Sequence, residues 1–301
     1  MTGAGTDLHG LWGFVLSPFA QAELDLPALG RAASFQVDAG VDVLCCCGAV
    51  AQADVLSPAE REASLTATVR AARGAVPVIL ALPVDADAPA AALRALRLGA
   101  RGLLLLPASE SAGEMARTLE RIRSCAPELA LVLYHRPPLR LEPQELAGLC
   151  TNPALVGVKD GHRDARLYRR LRGASRGRLS WIVAYEDLLL PFGAIGAEAF
   201  APISASYAPG YARACLGLLA DGDLPRLRTL LEAHAYPLMD LRVSRPGIDI
   251  AVVKQVQRAC GVPAGGERPP QQPLSAQEEH AVERLVTDLR SAVADCAGSL
   301  A

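Results

Sequence analysis

Lysine is nearly missing from this chain: it stands only at positions 159 and 254, and the other 28 of the 30 basic residues are arginine. Aromatic residues are sparse as well, at 4% of the sequence. No apolar run approaches the roughly 18 to 20 residues that span a bilayer, and the opening MTGAGTDLHG lacks a basic stretch followed by an apolar one. A cytoplasmic protein without membrane contact is the expectation. An excess of either charge is also lacking, with 30 basic side chains against 32 acidic ones. A surface without a basic excess is poorly suited to a phosphate backbone, so nucleic acid is not the expected partner. Eight cysteines among 301 residues, none in a CxxC pair or a Cys/His array, exclude a disulfide scaffold and a zinc module. Cys45, Cys46 and Cys47 run consecutively at the end of an apolar segment, and they read as small buried hydrophobes more readily than as reactive thiols.

The lysine scarcity has a chemical meaning. Guanidinium stays protonated, whereas an amine can shed its proton and attack a carbonyl, so a position that keeps lysine in an arginine-dominated chain is a candidate nucleophile. Lys159 and Lys254 are singled out on this ground before any motif is considered.

Short apolar runs alternate with longer amphipathic stretches from the N-terminus to about residue 220. That alternation marks repeated βα units. The expected strands are Leu11 to Ser17, Val41 to Cys47, Pro77 to Leu82, Gly102 to Leu106, Ala130 to Tyr134, Leu155 to Lys159, Ser180 to Ala184 and Ala199 to Ile203. Helices are expected over Asp25 to Ala39, Ser57 to Ala72 and Ala112 to Cys125, with Ser57-Pro58 as cap and first turn. Eight such units predict an α/β fold, a (β/α)8 TIM barrel over residues 1–220. A dinucleotide fold is disfavoured, because no Gly-x-Gly-x-x-Gly follows the first strand. Residues 221–301 read as a C-terminal helical extension packed on the barrel, with helices at Leu224 to His234, Ile250 to Cys260 and Ser275 to Asp295 around the Gly/Pro-rich GVPAGGERPPQQP.

Barrel chemistry sits at the C-terminal ends of the strands. Lys159 closes the sixth expected strand and Tyr134 the fifth, so the two side chains can meet in one site. A lysine among apolar residues has a lowered pKa, and a neighbouring phenol can move protons for it. The competing reading of Lys159 is a rim salt bridge to Asp160 or Asp164, and that of Tyr134 a core ring with a satisfied hydroxyl. Lys254, mid-helix among apolar residues, reads as a structural contact.

The segments LWGFVLSPF, LSPAER, LLLLP, LYHR, GVKDG, PLMDLR, VVKQ and GGERPP resemble the superfamily of dihydrodipicolinate synthase and N-acetylneuraminate lyase. The nearest branch is 5-dehydro-4-deoxyglucarate dehydratase. The resemblance runs from about Leu11 to Val286, and its most specific parts are GVKDG and LYHR. It implies Lys159 as the Schiff-base lysine, Tyr134 as the proton shuttle, Arg136 as a partner for a distal carboxylate, and Ser204 as a substrate-binding residue matching the second serine of the branch's Y-S-S-A motif, whose first serine is replaced here by Ile203. It also implies a homodimer or homotetramer, a small carbonyl substrate, and neither cofactor nor metal. His135 stands where the family has asparagine. Where the family places threonines after the second strand, this chain has Gly48, Ala49, Val50, Ala51 and Gln52. Gly48, Ala49 and Val50 occupy substrate-binding positions without a side-chain donor, and losing a donor to a buried carboxylate costs about 1.5 to 3 kcal/mol. The threonine of the dehydratase branch's P-T-A-E element is also missing from Val183-Ala184-Tyr185-Glu186.

The reaction implied is a class I lyase step, with dehydration and decarboxylation of 5-dehydro-4-deoxyglucarate to 2,5-dioxopentanoate as the named candidate. An aldolase acting on another 2-oxo compound and a non-catalytic ligand-binding barrel are the alternatives. A metal-dependent aldolase built on His162, Asp160 and Asp164 is a further rival.

Overall fold

The structure, a computed structural model, describes residues 8–298. Eight parallel strands close a barrel: β1 (Gly10–Phe14), β2 (Val43–Cys46), β3 (Val78–Pro83), β4 (Gly102–Leu106), β5 (Ala130–His135), β6 (Leu155–Asp160), β7 (Ser180–Val183) and β8 (Ala199–Phe200). Each pairs with its neighbour in sequence, and β8 returns to β1 through Gly10 beside Ala199 and Leu11 beside Phe200. This is the (β/α)8 TIM barrel that the alternation predicts. Strands buried on both faces are built from near-continuous apolar runs, as in GLLLL of β4, whose first four residues are buried.

The ends differ from expectation for local reasons. Cys47 adopts a left-handed φ of 56°, which stops β2 one residue early. Pro202 and the tight turn Ile203–Ser206 end β8 at Phe200. The three cysteines at the end of β2 are at most 1% exposed, in keeping with small packed side chains.

The helices of the barrel are α1 (Leu26–Asp38), α2 (Pro58–Ala72), α3 (Ala88–Arg97), α4 (Ala112–Cys125), α5 (Pro143–Leu149), α6 (Ala165–Ser175), α7 (Leu189–Ala194) and α8 (Pro209–Asp221). Helix α2 starts where Ser57 accepts from the Glu60 N–H while Glu60 accepts from the Ser57 N–H, with Pro58 in the first turn. Beneath α6 and α7, Tyr168 stacks on Phe192 at 4.3 Å between ring centroids and meets the edge of Trp181 at 4.9 Å. Such rings bring large apolar area into the space between strands and helices.

Beyond residue 221 the chain is helical: α9 (Leu224–Leu230), a π turn (Leu231–Ala235), α10 (Tyr236–Val243), α11 (Asp249–Ala259) and α12 (Ala276–Gly298). The expected helix at Leu224 to His234 thus widens midway and continues to Val243. Lys254 on α11 is fully buried, and its ammonium donates to the Ser17 carbonyl at 2.7 Å, to the Gly266 carbonyl, and to Gln52 Oε1 at 3.4 Å. Arg268 lies over the Phe19 ring at 4.2 Å and pairs with Glu60 at 2.6 Å. The Gly/Pro-rich stretch is thereby fastened to the loops after β1 and β2. No helix among the described residues is long and apolar enough to cross a membrane.

Candidate active site

Three strands place the central side chains. In the β5–β6 register Tyr134 lies beside Lys159, and in the β6–β7 register Lys159 lies beside Ile182. Neighbours in register on parallel strands project to the same face. Here that face is the barrel interior at the C-terminal ends, where a cavity of about 50 Å3 is lined by both residues. That volume suits about three to five waters or a small organic acid, given about 10 to 15 Å3 for each water-sized probe.

Lys159 is 7% exposed and makes no hydrogen bond or ion pair with any described residue. Its Nζ lies 4.3 Å from the centroid of the Tyr134 ring and 4.5 Å from that of Phe14. Burial lowers its pKa to about 8, with Arg136 and Arg242 adding to the fall and Cys45 and Asp160 opposing it. The rim salt bridge is not formed. Asp160 points to the other face and accepts from the Arg163 N–H at 3.1 Å. Asp164 caps α6 by accepting from the Leu167 N–H and pairs with Arg140 at 3.0 Å. His162 is held by the Leu139 carbonyl at 2.8 Å, so the polar groups of the conceivable metal set are each engaged elsewhere.

The Tyr134 phenol is pushed above its ordinary range, first by burial and then by the neighbouring Tyr185 hydroxyl. It is therefore a neutral proton donor at physiological pH. Close approach here depends on Gly161: a Cβ at that position would lie 2.7 Å from the Arg136 Cβ and 2.8 Å from the Tyr134 ring. Arg136 sits at the rim, half-buried, with its guanidinium 5.4 Å from the Tyr134 ring centroid and no ion pair among the described residues. His135 points away from the cavity. Its Nε2 accepts from the Leu141 N–H at 3.0 Å, and burial lowers its pKa to about 3.

Gly48, Ala49 and Val50 line the cavity at the start of a tight turn, Ala49–Ala51. A Cβ on Gly48 would meet the Phe14 ring at 3.1 Å, so glycine lets the loop close onto the ring. Ser204 is fully buried but does not line the cavity, where Ile203 takes its place. The Ser204 N–H donates instead to Glu186 Oε1 at 2.8 Å.

Three polar side chains that the motifs did not single out as site residues complete the lining: Tyr185, Glu186 and Arg242. Glu186 is 1% exposed, and burial raises its pKa, which favours the neutral acid. Its Oε2 has no partner. Arg242 reaches in from α10 and pairs with Asp249 at 2.6 Å. The signal for Arg242 lay in the PLMDLR segment, and that for Tyr185 and Glu186 in the stretch where the missing threonine drew attention.

The model of the dihydrodipicolinate synthetase family matches residues 7–289. The chain belongs to this family. Within the dihydrodipicolinate synthetase family, a protein of Methylobacterium radiotolerans named "Probable 5-dehydro-4-deoxyglucarate dehydratase" is 32% identical over 271 residues, covering 87% of each chain. A Bradyrhizobium diazoefficiens protein of the same name is 28% identical, covering 93% of this chain and 92% of its own. Among solved structures, the 4-hydroxy-tetrahydrodipicolinate synthase of Methylacidiphilum fumariolicum superposes with a TM-score of 0.87 at 21% identity, over 96% of this chain and 98% of that one. N-acetylneuraminate lyase of Fusobacterium nucleatum superposes with a TM-score of 0.84 at 17% identity, over 94% and 99%. These likenesses show the shared barrel.

Proposed function

We propose that this family member is a class I lyase in which Lys159 forms a Schiff base with a 2-oxo acid and Tyr134 moves the protons. The observation that carries this reading is Lys159 itself: an unpaired amine at a barrel mouth, in a cavity of small-molecule size, with its pKa lowered to about 8 by burial. Attack of the free amine on the ketone gives a carbinolamine. Tyr134 donates a proton to the departing hydroxyl, water leaves, and the imine becomes an electron sink.

The candidate reaction follows from that sink and from the names of the relatives. We number 5-dehydro-4-deoxyglucarate from the carboxylate beside the ketone. Loss of a C3 proton gives an enamine, which expels the C4 hydroxyl as water and leaves a C3=C4 bond conjugated with the imine. Breaking the C5–C6 bond releases carbon dioxide, and its electrons run through that conjugation to the nitrogen. Protonation, ketonisation of the C5 enol and imine hydrolysis yield 2,5-dioxopentanoate and regenerate Lys159. One water and one carbon dioxide are lost overall. Arg136, unpaired at the rim, suits the distal carboxylate before it departs.

A second reading is favoured by Ala49 and Val50, which stand in the family's threonine-bearing motif, and by Ala184, which stands where the dehydratase branch has threonine: an aldolase that cleaves or condenses a different 2-oxo compound. One experiment tests both. Intact mass after borohydride reduction is measured with pyruvate, 2-oxoglutarate and 5-dehydro-4-deoxyglucarate, each beside a Lys159→Arg control. The expected result is an adduct on the native chain alone, and the acid that gives it separates the two reactions. No adduct with any acid overturns the lyase reading.

A further inference from the structure

The loop after β2 offers no hydroxyl to a carboxylate, yet the cavity holds a second cation that the barrel itself does not supply. Arg242 comes from α10 of the C-terminal extension, and its side chain is only 10% exposed. Its Nε donates to Asp249, which is itself 50% exposed and lies at the outer end of the pair. Nη1 touches the Met239 sulfur at 3.4 Å, and Nη2 has no partner among the described residues. The terminal edge of a nearly buried guanidinium is thus left with a weak acceptor and an empty position, in the same cavity as Lys159.

The nearby groups do not fill that need. Glu186 also lines the cavity and its charge acts on Arg242, but no hydrogen bond or ion pair joins the two: its Oε1 is taken by the Ser204 N–H and its Oε2 has no partner. The Tyr185 ring is covered by another cation, the Arg163 guanidinium, 4.6 Å from its centroid. A neutral carbonyl ligand can accept from Arg242 but brings no charge to balance it, whereas a carboxylate balances the charge and can take two parallel N–H bonds from a guanidinium edge.

We propose that Arg242 receives the carboxylate of a 2-oxo acid in this cavity, in place of the hydroxyls absent at positions 49 and 50. The substrate class is therefore anionic, and the extension carries part of the specificity. The step beyond binding rests on the reading of Lys159 as the imine-forming amine; the binding itself does not.

Two measurements on the full chain separate those claims. The first is binding of (S)-lactate, a carboxylate that has no ketone and forms no imine, followed by NMR titration of the native chain, Arg242→Met and Arg242→Lys. Loss of charge-assisted hydrogen bonds should weaken lactate about ten- to a hundredfold in Arg242→Met, with Arg242→Lys in between. The second is the ratio of borohydride trapping by pyruvate to trapping by the neutral ketone hydroxyacetone, which should fall about tenfold or more in Arg242→Met. Thermal unfolding confirms that each variant is folded, and Arg242→Lys carries the test if Arg242→Met is not. Native protein that binds lactate through Arg242 but traps no ketone would refute the imine and support this inference. Lactate binding that is undetectable in the native chain, or unchanged in both variants, would overturn it.

Discussion

The titration of Lys159 is the sharpest quantity that the geometry fixes. Burial lowers its pKa from 10.5 to about 8. At pH 7 the free-amine fraction is then about one-tenth instead of roughly one part in three thousand, a gain of about 300-fold in nucleophile. The same shift affects folding with a definite sign. Below pH 8 the lysine is charged in both folded and unfolded chains and the burial penalty is complete. Between pH 8 and 10.5 the folded chain releases its proton while the unfolded chain keeps it, so stability should rise by about 3 kcal/mol across that window. Selective [13Cε]lysine labelling gives a direct assay, because Lys254 is the only other lysine in the sequence. Two signals are expected, with midpoints near 8 for Lys159 and near 7 for Lys254, and Lys159→Arg identifies the first by its loss. Arg242→Met should move the Lys159 midpoint upward, since that guanidinium contributes to the lowering. A Lys159 midpoint at or above 10 would refute the argument, because an amine in that state has no more nucleophile than one in water.

Other consequences are open to simpler measurements. Tyr134→Phe removes the hydroxyl that we propose moves the protons but keeps the ring beside the ammonium; turnover should fall by about 100- to 10,000-fold while borohydride still traps an adduct. His135, with its pKa lowered to about 3, refuses a proton that the unfolded chain accepts from pH 6.5 downward. Stability should therefore drop by about 3 kcal/mol between pH 7 and 4.5 on its account, and urea midpoints for His135→Asn should show that much less acid sensitivity. Lys254→Met leaves the Ser17 and Gly266 carbonyls without their donor. A loss of about 2 to 4 kcal/mol in urea unfolding is expected, and a loss below about 0.5 would mean that the ties to those loops carry little.

The eight strands were legible because parallel barrel strands are buried on both faces and leave apolar runs such as VLCC and LVLYH. Their ends were less so, since Cys47 in a left-handed conformation and the turn after Pro202 are decided by the loop and not by the run. Lys159 stood out through rarity, and its level with Tyr134 follows from the lengths of two adjacent strands. Arg242 was hidden for the converse reason. Among 28 arginines no single one is conspicuous, and what places it in the cavity is the docking of α10 over the mouth, a contact between segments about 80 residues from Lys159 in sequence. The burial of Glu186 carries no signal in the sequence because it depends on the turn at Ile203–Ser206, whose Ser204 N–H holds the side chain.

The fastening of α11 and the stretch after it to the loops following β1 and β2 bears on how specificity could be transplanted. Gln52 bonds both the Lys254 ammonium and the Arg268 carbonyl, at 3.4 and 2.8 Å, and stands two residues after the cavity-lining Val50. A graft of that turn into another barrel of this family would arrive without its anchor, and a graft of the C-terminal helices alone would bring an anchor with nothing to hold. The unit of exchange is a discontinuous one, residues 48–60 together with 236–268, and recombination at the seam near residue 220 divides it.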